Sequence, residues 1–364
     1  MDFTFSDDQD ALRDSVRGFL TNEATSPYLR AMADDERGFT DDMWQRVAAL
    51  GWPGLLVAEQ HGGLGLGLVD MVVVMEEMGR IPFPGPFFSS SVLATLAANR
   101  LAADELLPAL ASGTLRGTVA IEEQGHGSPV DRVRTRARRK GASWVLNGHK
   151  PIVLDGHTAD WVIVVARTEE GLGSFLLQAP GADAVPMIDP TRKAARLVLD
   201  DTPAEPIGPT GDHTALWRRV TDDAGVMLAA ELVGASEAAL ELAVEYAKVR
   251  VQFDRPIASF QAIRHKAVDM LHKLELSRVG THYAAWTSDV EDPQREHAAA
   301  MAKGFAAEAA VFVSSEDIQV HGGVGFTWDC DAHFYYKRAK QNDVMLGYQG
   351  WQRHRLADLI LQPA

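Results

Sequence analysis

Four long segments, residues 222–252, 261–288, 293–320 and 332–360, carry apolar side chains at the 3.6-residue spacing of α-helices. No other feature constrains the chain as strongly. Helices of this length, joined by short connections, pack as an antiparallel bundle. The preceding stretch, from about residue 116 to 213, has a different rhythm. WVIVVART, SFLLQA and ARLVLDD read as strands, and ASWVLNGHKPIV contains Asn147-Gly148, a strong hairpin signal. Before residue 116 helices return. Ser6 and Gln9 form a capping box ahead of Leu12, Val16, Phe19 and Leu20. Thr40 caps a second helix through Trp44, Val47 and Leu50, which Gly51 ends. GLVDMVVVMEEMGR, SSSVLATLAANRLA and ADELLPALASG supply three more, with HGGLGLG and IPFPGPF as loops. The predicted class is α+β: an N-terminal all-α domain (1–115), a middle β domain (116–213) and a C-terminal four-helix bundle (214–364).

Charge and cysteine usage exclude several functions. The net charge of −15 argues against a nucleic-acid partner, whose binding needs clustered cations. The single cysteine, Cys330, rules out an internal disulfide and argues against a cysteine-based metal site. The 12 histidines show no metal-ligand spacing, so no metal is expected. The N-terminus lacks a basic start and an apolar stretch, and no apolar run approaches the roughly 18–20 residues of a membrane span. A cytoplasmic protein is expected. Arg132, Arg134, Arg136 and Arg138 alternate, as on one strand face. That face is expected to be solvated, or to attract phosphates or an acidic partner.

Two short stretches point to a ligand. RVQFDRPIASFQ (250–261) closes the first bundle helix and opens the second, and DIQVHGGVGF (317–326) ends the third in a glycine pair. Taken singly, each reads as a helix corner with a solvated Arg250 and as a helix C-cap. Together, and in this order, they resemble the acyl-CoA dehydrogenase family. The resemblance covers nearly the whole chain and includes HGGLGLG, LNGHK and HFYYKRAK. It implies a middle domain of β-barrel or sandwich type, FAD as cofactor, an acyl-CoA substrate and an electron-transfer flavoprotein as acceptor. It also implies a shared site: the flavin ring lies in one subunit, and the pyrophosphate and adenosine reach the neighbour. On that pattern Arg250 pairs with the pyrophosphate, Gln252 donates to it and Phe253 packs at the adenosine end. Ile257 and Gln261 line the groove, and Gln319, Gly322 and Gly323 receive the adenosine end. A doubly charged pyrophosphate suits arginine's planar fork, and backbone amides exposed by glycine suit anionic oxygens.

The other half of the family pattern is missing. The usual Glu-Gly-Thr base motif reads Leu346-Gly347-Tyr348, or, with a shifted alignment, puts Gln349 at the base. Neither Leu nor Gln accepts the proton. The alternative location on the first bundle helix reads Ala224-Gly225, with Asp223 adjacent as a weak candidate on a different helical face. Where the family's β domain offers a Thr to the flavin, Glu122 stands at the head of Glu122-Glu123-Gln124-Gly125-His126-Gly127-Ser128. The flanking Trp-x-Thr has become Ile152-Val153-Leu154. The expectation is therefore a heterotetramer resembling the α2β2 actinobacterial steroid-CoA dehydrogenases, in which a homologous partner supplies ring pocket and base. A self-sufficient homotetramer with an unusual base and a non-catalytic scaffold remain the alternatives. On resemblance, a bulky steroid side-chain CoA ranks above a fatty acyl-CoA.

Overall fold

The computed structural model describes residues 5–141 and 143–361. They divide into two compact units. One comprises the described residues up to Leu29, Val72–Phe83 and those from Gly225 onward; the other comprises Arg30–Met71 and Pro84–Ala224.

The N-terminal helices begin where their caps predict. In α1 (Asp7–Glu23), Gln9 N donates to Ser6 Oγ at 3.3 Å and Ser6 N donates to Gln9 Oε1 at 3.0 Å. Asp7, Asp8 and Asp10 in the first turn complement the helix dipole. α2 (Ser26–Asp34) follows, and Thr40 Oγ1 caps α3 (Asp41–Ala49) by accepting Met43 N. α4 (Leu68–Arg80) is buried on almost every side, as its continuous apolar run requires. SSSVLATLAANRLA does not form one α-helix. Phe87–Ala94 winds as a π-helix, wholly buried, before α5 (Thr95–Leu101). α6 (Leu107–Ala111) completes the set.

The β region closes on itself. Its strands are β1 (Gly117–Ala120), β2 (Arg136–Lys140), β3 (Ser143–Leu154), β4 (Trp161–Arg167), β5 (Leu172–Gln178), β6 (Asp183–Val185) and β7 (Ala194–Ile207), with a one-turn helix α7 (Pro129–Arg132) before β2. The order β4-β2-β3-β7-β5 returns to β4 through antiparallel β4–β5 pairing, so five strands form a barrel with β1 and β6 appended. Ala120, Leu146, Val162, Val164, Phe175 and Leu197 fill its interior.

Two expectations fail here. Asn147-Gly148 does not turn the chain; β3 runs straight through it. The pair instead lies opposite a bulge in β7: Leu146 pairs with Thr202 and Gly148 with Leu199, so Asp200 and Asp201 stand against Asn147 alone. The reason is tertiary. Asn147 Nδ2 donates to Asp201 Oδ1 at 2.9 Å, and Asp201 N donates to Asn147 Oδ1 at 3.0 Å. The arginine run likewise is not one strand face, because Arg132 ends α7 and β2 starts only at Arg136.

The C-terminal segments are α8 (Thr214–Val249), a hairpin of β8 (Val251–Gln252) with β9 (Arg255–Pro256), α9 (Gln261–Asp289), α10 (Arg295–His321), α11 (Ala332–Val344) and α12 (Gln349–Leu361). α10 packs against α9, α11 and α12 through a surface of buried alanines. Ala239, Ala243, Met270 and Val313 join α8, α9 and α10. The fourth predicted helix is two. Leu346 and Gly347 take left-handed conformations (φ 54° and 96°), and Asp343 Oδ1 caps α12 by accepting Gln349 N at 3.0 Å. α4 and α8 cross very closely: a Cβ on Gly79 would lie 1.9 Å from Glu231 O, and one on Gly234 would lie 1.8 Å from Glu76 O.

Candidate cofactor-binding site

α8 ends at Val249, and Arg250 N still donates to Tyr246 O at 2.9 Å. The chain then makes a tight hairpin whose tip, Phe253-Asp254, has φ of 53° and 63° at its two residues. Two successive left-handed residues are what a type I′ turn requires. The turn pushes Phe253 into solvent at 86% exposure, with its ring edge-on to Phe260. The Arg255 guanidinium covers Phe260 at 4.1 Å. Ile257 N donates to Arg250 O at 2.8 Å and closes the corner. Arg250, Gln252 and Gln261 are exposed, and Ile257 is half-buried. Arg250 has no acidic partner among the described residues.

The second stretch lies beside this corner. At the end of α10, Gly322 (φ 64°) donates its N–H to Gln319 O. A Cβ on Gly322 or on Gly323 would meet no atom within 4 Å, so open space stands over both, and Gln319 beside them is exposed. Gly325 differs: it is buried, and a Cβ there would lie 2.8 Å from His321 Cβ. An apolar slot of about 140 Å³ runs between α8, α9 and α10, lined by Ala243, Ala247, Ile263, Ala267, Met270 and Val320. Cationic Arg250, Arg255 and Arg264, an exposed aromatic and an open glycine pair fit the phosphates and base of an adenine dinucleotide.

The family's base positions are occupied otherwise. Leu346 is buried, and the amide of Gln349 donates from Nε2 to Asp343 Oδ2 at 3.2 Å. Behind them Lys303, 1% exposed, donates from Nζ to Asp343 O at 3.2 Å. Its Cβ and Cγ would lie 3.9 Å from a Cβ on Gly225. Asp223 is buried and bound to Arg219 Nε at 2.8 Å, with Arg100 Nη2 at 3.6 Å. Its geometry is that of a structural ion pair. Among the described residues, no group of three His, Cys, Asp or Glu side chains could hold a metal ion, and no helix is long and apolar enough to cross a membrane.

The loop at Glu122 is closed from within. Arg132 Nη2 donates to Glu122 Oε2 at 2.5 Å, and Nη1 donates to Glu123 O at 3.0 Å and to Gly125 O at 2.5 Å. Below it Glu123 accepts from Arg134 N, Thr135 N, Thr135 Oγ1 and Lys150 Nζ, the last at 2.7 Å. Burial pushes Lys150 down to about 8 against the pull of Glu123. Glu123 shifts the other way: burial would raise it, but Lys150 and Thr135 outweigh that and hold it below its ordinary value. Val153 and Leu154 are buried, so no donor or aromatic face stands at the Trp-x-Thr position. The sequence shows Arg132 only as part of an arginine run. It gives no sign of Lys303 behind the base position.

Three family descriptions match consecutive segments: "Acyl-CoA dehydrogenase, N-terminal domain" over 6–114, "middle domain" over 118–198 and "C-terminal domain" over 219–361. The chain belongs to the acyl-CoA dehydrogenase family. It is 31% identical over 352 residues to acyl-CoA dehydrogenase IpdE2 of Mycolicibacterium smegmatis, covering 96% of this chain and 98% of that one. Its fold matches a chain of the Tcur3481-Tcur3483 steroid ACAD (TM-score 0.87, 32% identity, 97% of both chains). It also matches a chain of the ChsE4-ChsE5 complex from Mycobacterium tuberculosis (TM-score 0.90, 30% identity, 100% of both chains). An acyl-CoA dehydrogenase fold, with helical, sheet and helical parts in that order, is thus established for this chain.

Proposed function

We propose that this chain is one subunit of a heteromeric, FAD-dependent acyl-CoA dehydrogenase, and that it holds the adenosine and pyrophosphate end of a shared FAD. The carrying observation is an asymmetry. The corner at Arg250 and the glycine pair at Gly322 are exposed and open, whereas the loop at Glu122 is filled by Arg132 and the base position holds a buried Leu346. Arg250 and Gln252 would bind the pyrophosphate, Phe253, Ile257 and Gln261 the adenosine groove, and Gln319, Gly322 and Gly323 its far end. The ring half does not fit: ionised Glu122 is an acceptor without a proton to donate. A bound FAD would supply a hydride acceptor for the β carbon of an acyl thioester. The ring pocket and the base that removes the α proton belong to a homologous partner in this reading. The three domains are 1–115, 116–213 and 214–364, the chain works in the cytoplasm, and an electron-transfer flavoprotein is the acceptor. The naming of two homologous relatives as pairs, one of them as steroid ACAD, supports a heteromer and ranks a steroid side-chain CoA first as substrate.

Flavin stoichiometry tests the proposal. The chain purified alone is expected to be colourless. Purified with the homologous chain encoded beside it, it is expected as a yellow heterotetramer with about half an FAD per polypeptide. One FAD per chain in an active homotetramer would refute it.

A further inference from the structure

We propose that His321, held between Asp317 and Tyr246, is the positioning residue that ties the two dinucleotide-binding stretches into one site. This rests on reading those stretches as the adenosine end of an FAD site.

His321 is the last residue of α10 and is 6% exposed. Its Nδ1–H donates to Asp317 O at 2.9 Å, and the same nitrogen lies 2.9 Å from Asp317 Oδ1. Asp317 is fully buried, and neither of its carboxylate oxygens has a well-aligned hydrogen bond among the described residues. A carboxylate stripped of water is costly unless a positive charge lies beside it, and among the described residues the imidazole is the group placed to supply that charge. The imidazole ring stacks on Tyr246, with centroids 4.2 Å apart and planes 29° from parallel. Tyr246 lies on α8 one turn before Arg250 and accepts the N–H of Arg250. In the other direction, the chain leaves His321 directly into Gly322, and Gly325 folds back against it. One side chain therefore touches the helix that presents Arg250 and anchors the loop that presents Gly322 and Gly323. An imidazolium also suits this place electrostatically, at a helix C-terminus and over a phenol ring.

The protonation of the pair fits this role. Burial would lower the pKa of His321, but the hydrogen bonds and charge of Asp317 outweigh it, and the net shift is upward. Burial raises Asp317 more than His321 lowers it, so each member of the pair keeps its proton to a higher pH than its ordinary value would allow. Among the described residues, titratable groups beside the pair are Tyr246, which forms the stack, and Tyr335, whose phenol burial pushes up and whose surroundings include Asp331, Asp317, Arg80 and Glu241. With the folded pKa of His321 above its ordinary 6.5, the lock is complete below that value. It is lost as pH rises through the folded pKa.

The test uses the chain co-purified with its homologous partner and follows FAD release by the fluorescence of the freed flavin. His321→Gln and Asp317→Asn are each expected to speed release about tenfold, equivalent to one helix-terminus charge interaction of the stronger kind. Wild-type release is expected to accelerate with rising pH, and both variants are expected to lose that dependence. Tyr246→Phe, which keeps the ring, should retain the wild-type rate, and Tyr246→Leu should not. The tyrosine pair keeps the test decisive if the α10 variants fail to fold. Wild-type rates and pH profile in folded His321→Gln, or equal behaviour of the two Tyr246 variants, would overturn the positioning role alone. A wild-type complex without FAD, or Arg250→Ala without effect on FAD, would overturn the site reading on which it rests.

Discussion

Glu123→Gln removes the counter-charge of Lys150, whose side chain is 0% exposed and 2.7 Å from the carboxylate. Removing one partner of a buried pair costs about 3–5 kcal/mol, because the other charge is left uncompensated in a medium that solvates it poorly. At about 2–4 °C per kcal/mol for a unit of this size, the melting temperature should fall by roughly 6–20 °C. Lys150→Met should cost less. It removes the desolvated charge, and Glu123 keeps Arg134 N, Thr135 N and Thr135 Oγ1 as donors. The double variant should be more stable than Glu123→Gln alone. The pH dependence adds a second constraint. Lys150 already sits near 8 in the folded chain. Without Glu123 its pKa falls further, while the unfolded chain keeps the ordinary value of 10.5. A lysine lowered on folding penalises the folded state fully below its folded pKa, and the penalty is relieved as pH rises through it. The deficit of Glu123→Gln should therefore be largest near pH 6–7 and should narrow towards pH 10. Differential scanning fluorimetry across that range measures it. Equal melting temperatures for Glu123→Gln and wild type at pH 7, or a deficit that widens with pH, would refute the reasoning.

Three further outcomes follow from the geometry. Gly323→Val, which faces open space, should leave the melting temperature within about 1 °C yet abolish FAD in the co-purified complex, whereas Gly325→Val should destabilise by about 1–3 kcal/mol through overpacking against His321; fluorimetry and flavin absorbance separate the two. Arg250→Ala should weaken FAD retention by about 1.5–3 kcal/mol, the worth of charge-assisted hydrogen bonds, with no change in circular dichroism. On acidification, Glu123 and Asp201, both held below their ordinary values, should give up stability as pH falls below 4.5 and 3.8 respectively; acid titration of Asp201→Asn should lack the lower part of that loss.

The fold is legible where a local signal and the tertiary context agree. Ser6, Gln9 and Thr40 cap helices through partners three residues away, which a local reading of the sequence pairs correctly. Asn147-Gly148 misleads because turn chemistry is read locally, while Asp201, 54 residues away, engages both ends of the Asn147 amide and keeps the strand running. The break between α11 and α12 escapes because Leu346 is an unusual left-handed residue. Around it Lys303 donates to Asp343 O and Asp343 accepts Gln349 N, contacts that periodicity cannot pair. At the candidate site, the residue types at the Arg250 corner and the glycine pair are readable. The stack of His321 on Tyr246 is not, because it joins helices 75 residues apart in the chain (321 − 246).

The two halves of the family pattern differ here in kind as well as in residue identity. A site that had only lost its ligand contacts would expose unsatisfied groups, because buried polar atoms without partners are costly. The loop at Glu122 shows the reverse: Arg132 satisfies its carbonyls, and the Glu123 carboxylate beneath has four donors. The base position is likewise filled, with Leu346 buried and Lys303 donating to the Asp343 carbonyl in the last turn of α11. Each is a self-contained arrangement whose polar groups are already partnered within the chain. The Arg250 corner has the opposite character. Among the described residues Arg250 has no acidic partner, the Phe253 ring is exposed, and Gly322 and Gly323 face open space. Each of those features is unfavourable or neutral in the chain alone and becomes favourable once an anionic, base-bearing ligand arrives. On the proposed reading, a filled Glu122 loop and an open Arg250 corner are what a shared FAD would ask of the subunit that does not hold the ring.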